Sequence, residues 1–317
     1  VKYTIVGDPH IRPDNLDKAK LLFQLIEDMG NPVIVLGDTF DTKEIIRGKC
    51  LNLVYNAVKA SRLDWIFLVG NHDLFNLQEP EHSLELLKEL PNVTIADKPM
   101  TRPGFFFMPY IHDVPTLKSV LSYIPDEAVV VGHFAVKNFD YGNGFISEDE
   151  LELKDLARFR RVISGHFHKF QEQGNLIYLG TPFSHSFGES NQKKHLGVFD
   201  NETSEMSYFP TPFPAHITIE INCSKDSEDS PEWVLSFLDS FNHNRVILTG
   251  SQVEIDKVDK TKFPFVKFIE KPNKHILEKS QLLKEEDSNE VKFKKWASEV
   301  AKLEPKTIEL GLEYLRG

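Results

Sequence analysis

Five short segments carry side chains able to bind metal ions, and all follow one plan. They are Gly7-Asp8-Pro9-His10, Gly37-Asp38-Thr39-Phe40-Asp41, Gly70-Asn71-His72-Asp73, Gly132-His133 and Gly165-His166-Phe167-His168. In each, an apolar run ends at a glycine, and a carboxylate, imidazole or amide follows. Glycine suits a sharp turn that brings the backbone close to an ion. Carboxylate, imidazole and amide oxygen without thiolate suit manganese, iron, zinc or magnesium. The seven candidate ligands, Asp8, His10, Asp38, Asn71, His133, His166 and His168, are too many for one ion and about right for two. Two ions about 3.5–4 Å apart clamp a phosphate and hold a hydroxide for in-line attack. Asp38, with two carboxylate oxygens, is the natural bridge. Taken singly, a Gly-Asp is ordinarily a loop, and a Gly-His at a strand end a hydrogen-bonded histidine. The ordered set of five carries the reading.

Such ligands need strand ends to hold them. Tyr3–Val6, Val33–Leu36 and Trp65–Val69 read as buried strands, with helical patterns over Leu16–Asp28 and Leu51–Val58 between them. That order predicts a largely parallel α/β sheet. Ligands at C-terminal strand ends converge on one edge, where open α/β sheets bind their ligands. Phe105–Met108, Val129–Val131, Val162-Ile163, Leu176–Tyr178, Val198-Phe199 and Met206–Phe209 read as further strands. They suffice for two sheets packed face to face with helices outside. Pro210, Pro212 and Pro214 mark a boundary. Beyond it, strands are expected at His216–Ile221, Arg245–Leu248 and Phe265–Ile269 and a helix at Pro231–Phe241. From about Lys271 the chain turns polar and helical; Phe293, Trp296 and Val300 share a face, and Pro305 opens a last helix through Leu315. The expected domains are 1–210, 211–270 and 271–317.

The 317 residues hold 37 Lys+Arg and 48 Asp+Glu, a net charge of −11. This argues against a simple basic DNA-coating protein but not an enzyme that brings its own cations. With 40% hydrophobic and 27% charged residues, the composition is neither disordered nor membrane-like. Apolar runs are strand-sized and too short to span a bilayer. Cys50 and Cys223 form no disulfide framework. With no charged-then-apolar leader before the first strand, a cytoplasmic home is expected.

With these motifs in this order, the chain resembles the calcineurin-like metallophosphoesterases. More closely it resembles the SbcD-type nuclease subunits, bacterial and phage relatives of the meiotic-recombination nuclease. The motifs cover residues 1 to about 200. Ile163-Ser164-Gly165-His166-Phe167-His168, then Tyr178-Leu179-Gly180-Thr181-Pro182, and also Pro91-Asn92-Val93, are similar to the phage members. The resemblance implies a four-layer αββα sandwich, a small α/β capping domain and a C-terminal helical tail that binds a partner. It implies one ion held by Asp8, His10, Asp38 and His168 and another by Asp38, Asn71, His133 and His166. Both are expected to be manganese, with magnesium as the substitute. His72 would face the scissile phosphate as proton donor or transition-state stabiliser, with Asp73 orienting it. In one departure, some members have a histidine three residues after the second motif's aspartate, where this chain has Asp41. A carboxylate donates no proton at neutral pH unless its pKa is strongly raised. Asp41 is therefore expected to accept a hydrogen bond from a neighbouring ligand or a water.

The implied activity is DNA exonuclease and endonuclease hydrolysis, as the nuclease subunit of an SbcC-like coiled-coil ATPase complex in repair and recombination. The setting would be a bacterial or phage-infected cell, and a homodimer is expected. A phosphatase or cyclic-nucleotide phosphodiesterase on the same fold is the alternative, because the phosphate chemistry is shared. Arg12 and Arg47 follow ligand motifs and are candidates for phosphate contact. Lys137 and Tyr141, in the loop Phe134–Gly144, suit phosphate contact and base stacking. His112 and His185 lie in loops and are expected to be structural or solvent-facing. The acidity predicts weak DNA binding alone, with a partner supplying most of the affinity.

Overall fold

The computed structural model describes residues 1–272 apart from 44, 78–79, 143 and 225–230, and beyond 272 only residues 290, 293, 294, 297 and 309. Of the expected helical tail, Trp296, Val300 and Pro305 lie outside the described residues. The chain divides into two compact units: Val1–Thr218 with Leu238–Arg245, and Ile219–Phe237 with the chain from Val246.

The first unit begins with β1 (Lys2–Val6), α1 (Leu16–Met29), β2 (Val33–Val35), α2 (Gly48–Ala60), β3 (Trp65–Leu68) and β4 (Val93–Ala96). It continues through β5 (Met100–Arg102), β6 (Phe105–Met108), α3 (Val114–Ser122), β7 (Val129–His133), α4 (Leu153–Leu156) and β8 (Arg161–Gly165). Then come β9 (Gln171–Gln173), β10 (Leu176–Tyr178), β11 (His195–Asp200) and β12 (Glu205–Pro210). One six-stranded sheet runs β12-β11-β1-β2-β3-β4 and the other β5-β6-β7-β8-β10-β9. The pairs β1–β2, β2–β3, β3–β4, β6–β7, β7–β8 and β8–β10 are parallel. Their C-terminal ends therefore open on a common side of each sheet.

Alternation along the strands builds three cores. Ile5, Ile34, Leu36, Val129, Val131 and Ile163 meet between the sheets. Their neighbours Val33 and Val35 turn outward to pack under α1 and α2, against Ala19, Leu22, Ile26, Val54 and Val58. Val130 and Val162 turn outward on the second sheet, under Leu117, Leu121 and Leu156 of α3 and α4. A period of two buries both faces of each sheet. The result is a four-layer αββα sandwich.

The second unit is built on a three-stranded sheet, β13-β14-β15 (His216–Asn222, His243–Gly250 and Val266–Pro272), with α5 (Pro231–Leu235) and α6 (Gln252–Ile255). The helix expected through Phe241 ends at Leu235. Downstream, the Asp239 carboxylate accepts from the amides of Phe241 and Asn242, both at 3.0 Å. Such a local side-chain bond competes with helical pairing. Among the described residues, no helix is long and apolar enough to cross a membrane.

Candidate metal centre

All five ligand segments leave C-terminal strand ends, and the two sheets bring them together. Asp8 and His10 follow β1, Asp38 follows β2, Asn71 and His72 follow β3, His133 ends β7, and His166 and His168 follow β8. The turns are tight. A Cβ at Gly70 would collide with Asp38, and one at Gly165 with Asp8. His10, Asp38 and His166 take positive φ values of 43°, 47° and 89°. Non-glycine residues rarely adopt this region, and such strain clusters at functional sites.

The donor atoms form two groups that meet at Asp38. In the first, His10 Nε2 lies 3.0 Å from His168 Nε2 and 3.5 Å from Asp38 Oδ2. In the second, Asn71 Oδ1 lies 3.0 Å from His133 Nε2 and 2.9 Å from His166 Nδ1. His133 Nε2 is also 3.5 Å from Asp38 Oδ2. Atoms bound to one ion at about 2.0–2.2 Å stand about 3.0–3.4 Å apart, so these spacings fit the edges of coordination shells. Asp8 meets the second group, with Oδ1 3.7 Å from His133 Nδ1. Its Oδ2 accepts from the His166 amide at 2.8 Å, while its buried Oδ1 has no hydrogen-bond partner. A buried carboxylate oxygen without a donor is costly unless a cation meets it. The donor set therefore fits a pair of divalent ions. His10, Asp38 and His72 also form a trio whose donor atoms lie within 4.8 Å of one another, so they too could hold an ion.

Contacts behind the donors fix their tautomers. His133 Nδ1 donates to the Leu36 carbonyl at 2.8 Å, which leaves Nε2 for a cation. His168 Nδ1 is 2.9 Å from Glu189 Oε1, which turns its Nε2 toward His10. Glu189 is buried and also meets Lys194 Nζ at 2.7 Å and Thr181 Oγ1 at 3.2 Å. A carboxylate behind a metal-binding histidine is a common support. Isolated in sequence, Glu189 gives no motif; only the fold, which brings it 21 positions back to His168, reveals its role.

The electrostatics reflect crowded charge. Burial would lower the pKa of His133, yet the Asp38 and Asp8 carboxylates outweigh it and raise it to about 9. Burial and the neighbouring His133 charge push His166 down to about 3. Burial opposes ionisation of Asp38, but the surrounding histidines hold its carboxyl well below the usual range.

His72 Nδ1 is 2.9 Å from the Asp41 carbonyl, and its amide donates to Asp38 Oδ1 at 2.7 Å. Asp73 is placed otherwise than expected: its contacts run to backbone amides and the Ser83 hydroxyl, and the group on His72 Nδ1 is Asp41's carbonyl. Fully buried, Asp73 accepts from the amides of Thr39 and Gly70, both at 3.0 Å, and so ties two ligand loops together. Burial, then the Asp38 charge, raise its pKa to about 7. The Asp41 carboxylate lies 3.5 Å from His10 Nδ1 and 3.8 Å from Arg12 Nη1.

Arg12 is drawn into the loops around the site, 2.7 Å from Asp14 and donating to the His185 carbonyl at 3.0 Å. Arg47 is exposed just before α2. Lys137 is exposed, while Phe139 of the same loop is buried against Phe167 and Tyr178. Tyr141 packs its ring on Phe167 and donates to Asp149 at 3.3 Å. It also borders a groove of about 600 Å³ walled by Asp113, Glu148, Asp149 and Glu150. Tyr110, which carries no motif in the sequence, stacks its ring on His166 with centroids 6.1 Å apart.

A sequence profile of the calcineurin-like phosphoesterases matches residues 1–170. Exonuclease subunit 1 of Enterobacteria phage T4 is 30% identical over 215 residues, which cover 64% of this chain and 63% of that protein. The match thus spans less than two thirds of the phage protein. Invertebrate iridescent virus 6 has a protein, 244L, described as a phosphoesterase and 30% identical over 227 residues, covering 66% of this chain and 79% of that one. Among solved structures, an archaeal phosphodiesterase aligns with 66% of this chain and 99% of its own at 19% identity, with a TM-score of 0.37.

Proposed function

The chain belongs to the calcineurin-like phosphoesterase family, and on that footing we propose that it is a two-metal DNA nuclease. The observation that carries this reading is the pair of donor groups sharing Asp38, with spacings of 2.9–3.5 Å. On this reading, Asp8, His10, Asp38 and His168 would hold one ion, and Asp38, Asn71, His133 and His166 the other. The mix of imidazole and oxygen donors fits manganese, iron, zinc or magnesium; the family resemblance makes manganese the expected metal, with magnesium as substitute. The chemistry such ions supply is Lewis acidity, which readies a water and draws charge from phosphate oxygens.

The protein's own groups do the rest. The Leu36 carbonyl and Glu189 keep His133 and His168 in the tautomers that offer Nε2 inward. The Asp41 carbonyl accepts from His72 Nδ1–H, so it is as the doubly protonated imidazolium that Nε2 passes a proton to the leaving oxygen or stabilises charge on the phosphate. Asp41's carboxylate steadies His10 and Arg12 instead of acting on substrate. Arg12, Arg47, Lys137 and Tyr141 are the proposed DNA contacts.

DNA as substrate is supported by the T4 relative, which is named as an exonuclease subunit. That relative's being a subunit supports a multi-subunit assembly, and the net charge of −11 supports a partner that supplies DNA affinity; the family resemblance makes that partner a coiled-coil ATPase and adds a second copy of this chain. Residues 1–210, 211–270 and 271–317 are the proposed nuclease, capping and partner-binding parts. Cys50 and Cys223 are both free thiols, which supports a reducing, cytoplasmic setting. The test is cleavage of linear double- and single-stranded DNA with manganese, beside a generic phosphomonoester. Shortening of DNA is expected. Faster turnover of the monoester with DNA intact would sink the nuclease reading in favour of a phosphatase.

A further inference from the structure

His185 lies in the loop after β10, and both of its ring nitrogens are buried without a hydrogen-bond partner. A buried histidine that serves only packing is ordinarily satisfied by a neighbouring group, because unmet polar atoms are costly. The neighbours of this ring explain the exception. It stands edge-on to His10 with centroids 5.5 Å apart, 5.9 Å from His168 and 5.1 Å from Phe183. Two of its three ring neighbours are thus candidate ligands of the first ion. His72 flanks the same His10 ring, with centroids 4.8 Å apart.

The backbone around His185 is fixed from both ends. Its amide donates to Glu189 Oε2 at 3.3 Å, and its carbonyl accepts from Arg12 Nη2 at 3.0 Å. Glu189 is the same carboxylate that orients His168. The loop therefore holds an unsatisfied imidazole at a set distance from the first donor group.

We infer that His185 is a further catalytic residue, whose ring hydrogen-bonds an oxygen of the bound phosphodiester beside His10 and His168. The inference rests on the phosphodiesterase reading of the site. A ring N–H held there is a hydrogen-bond donor for such an oxygen. It thereby acts by stabilising charge on the phosphate, while His72 handles the leaving oxygen.

The test uses the full chain loaded with manganese, a model diester, bis(p-nitrophenyl) phosphate, and inorganic phosphate as binding probe. For His185→Ala, kcat on the diester is expected to fall about 100-fold, the scale of losing one preorganised donor. Phosphate affinity measured by calorimetry should weaken about tenfold, and manganese affinity should not change. His185→Gln, which keeps an N–H donor, should recover part of both losses and covers the case that the alanine variant misfolds. Unchanged kcat and phosphate affinity would overturn the inference and leave His185 a packing residue. A tenfold loss of manganese affinity would also overturn it, making His185 a metal ligand. If the wild-type protein cleaves neither DNA nor the diester, the nuclease reading fails, and the phosphate titration still decides His185.

Discussion

Glu189 and Lys194 form a buried pair behind the first donor group, and removing Glu189 should damage stability and metal binding by separate routes. Their side chains are only 8% and 7% exposed, so solvent screens the pair little. In Glu189→Ala, Lys194 keeps a buried charge without its counter-ion, which costs about 3–5 kcal/mol. That is a large share of the roughly 5–15 kcal/mol that holds a typical domain together. His168 Nδ1 also loses its acceptor, and loss of such a support weakens metal affinity about 10- to 100-fold. The double variant Glu189→Gln/Lys194→Met removes the stranded charge. It leaves the His168 carbonyl, Thr181 and Gln192 without the lysine donor, so it should recover most of the stability, though not all. Because it still lacks the carboxylate, its manganese affinity should stay low. Glu189 also contributes to pH dependence. Burial would raise its pKa, yet the bonds from His168 and Lys194 hold it well below the usual range. This stability is complete above the ordinary value and is lost as pH falls through the depressed one. The assays are urea denaturation of the metal-free protein and manganese calorimetry on the wild type and both variants. A Glu189→Ala cost under about 1 kcal/mol, or unchanged manganese affinity in both Glu189 variants, would refute the reasoning.

Three other expectations follow from the same geometry. His133 is protonated up to about 9 in the metal-free protein, and a metal must displace that proton, so manganese affinity should rise toward tenfold per pH unit and level off above about 9. The same raised value contributes stability that is complete below 6.5 and lost as pH rises through about 9; calorimetry and thermal melts between pH 6 and 10 check both, and a flat affinity profile would contradict them. Asp73→Asn sets an amide N–H₂ against backbone amides that now have an acceptor, at about 1–3 kcal/mol for each buried donor left unmet, so the urea midpoint should drop. His72→Ser should abolish DNA turnover with two manganese ions still bound; retained cleavage would remove His72 from its assigned role.

The parts legible in the sequence were those whose signal is local. Apolar runs such as Phe105–Met108 and Leu176–Tyr178 mark strands because a buried strand needs little more than its own side chains. The glycine-then-ligand turns were visible for the same reason. α3 escaped notice although Asp113 caps it at Thr116 and Pro115 sits in its first turn. Short polar strands such as Gln171–Gln173 carry no alternation to read. Glu189, Tyr110 and the orphaned ring of His185 escaped because their meaning lies in partners far away in sequence: Arg12 reaches the His185 carbonyl across 173 positions. Asp73 was legible as part of the site, but its direction was not. A carboxylate beside His72 in sequence points wherever the turn sends it, here to the amides of two loops.

The central claim is a pair of ions bridged by Asp38, and electron paramagnetic resonance of the manganese-loaded protein tests it most directly. Two ions per chain with the multiline signal of exchange-coupled neighbours are expected, and that signal should be lost in Asp38→Asn. A single uncoupled ion at saturation, or a signal unchanged in Asp38→Asn, would contradict it.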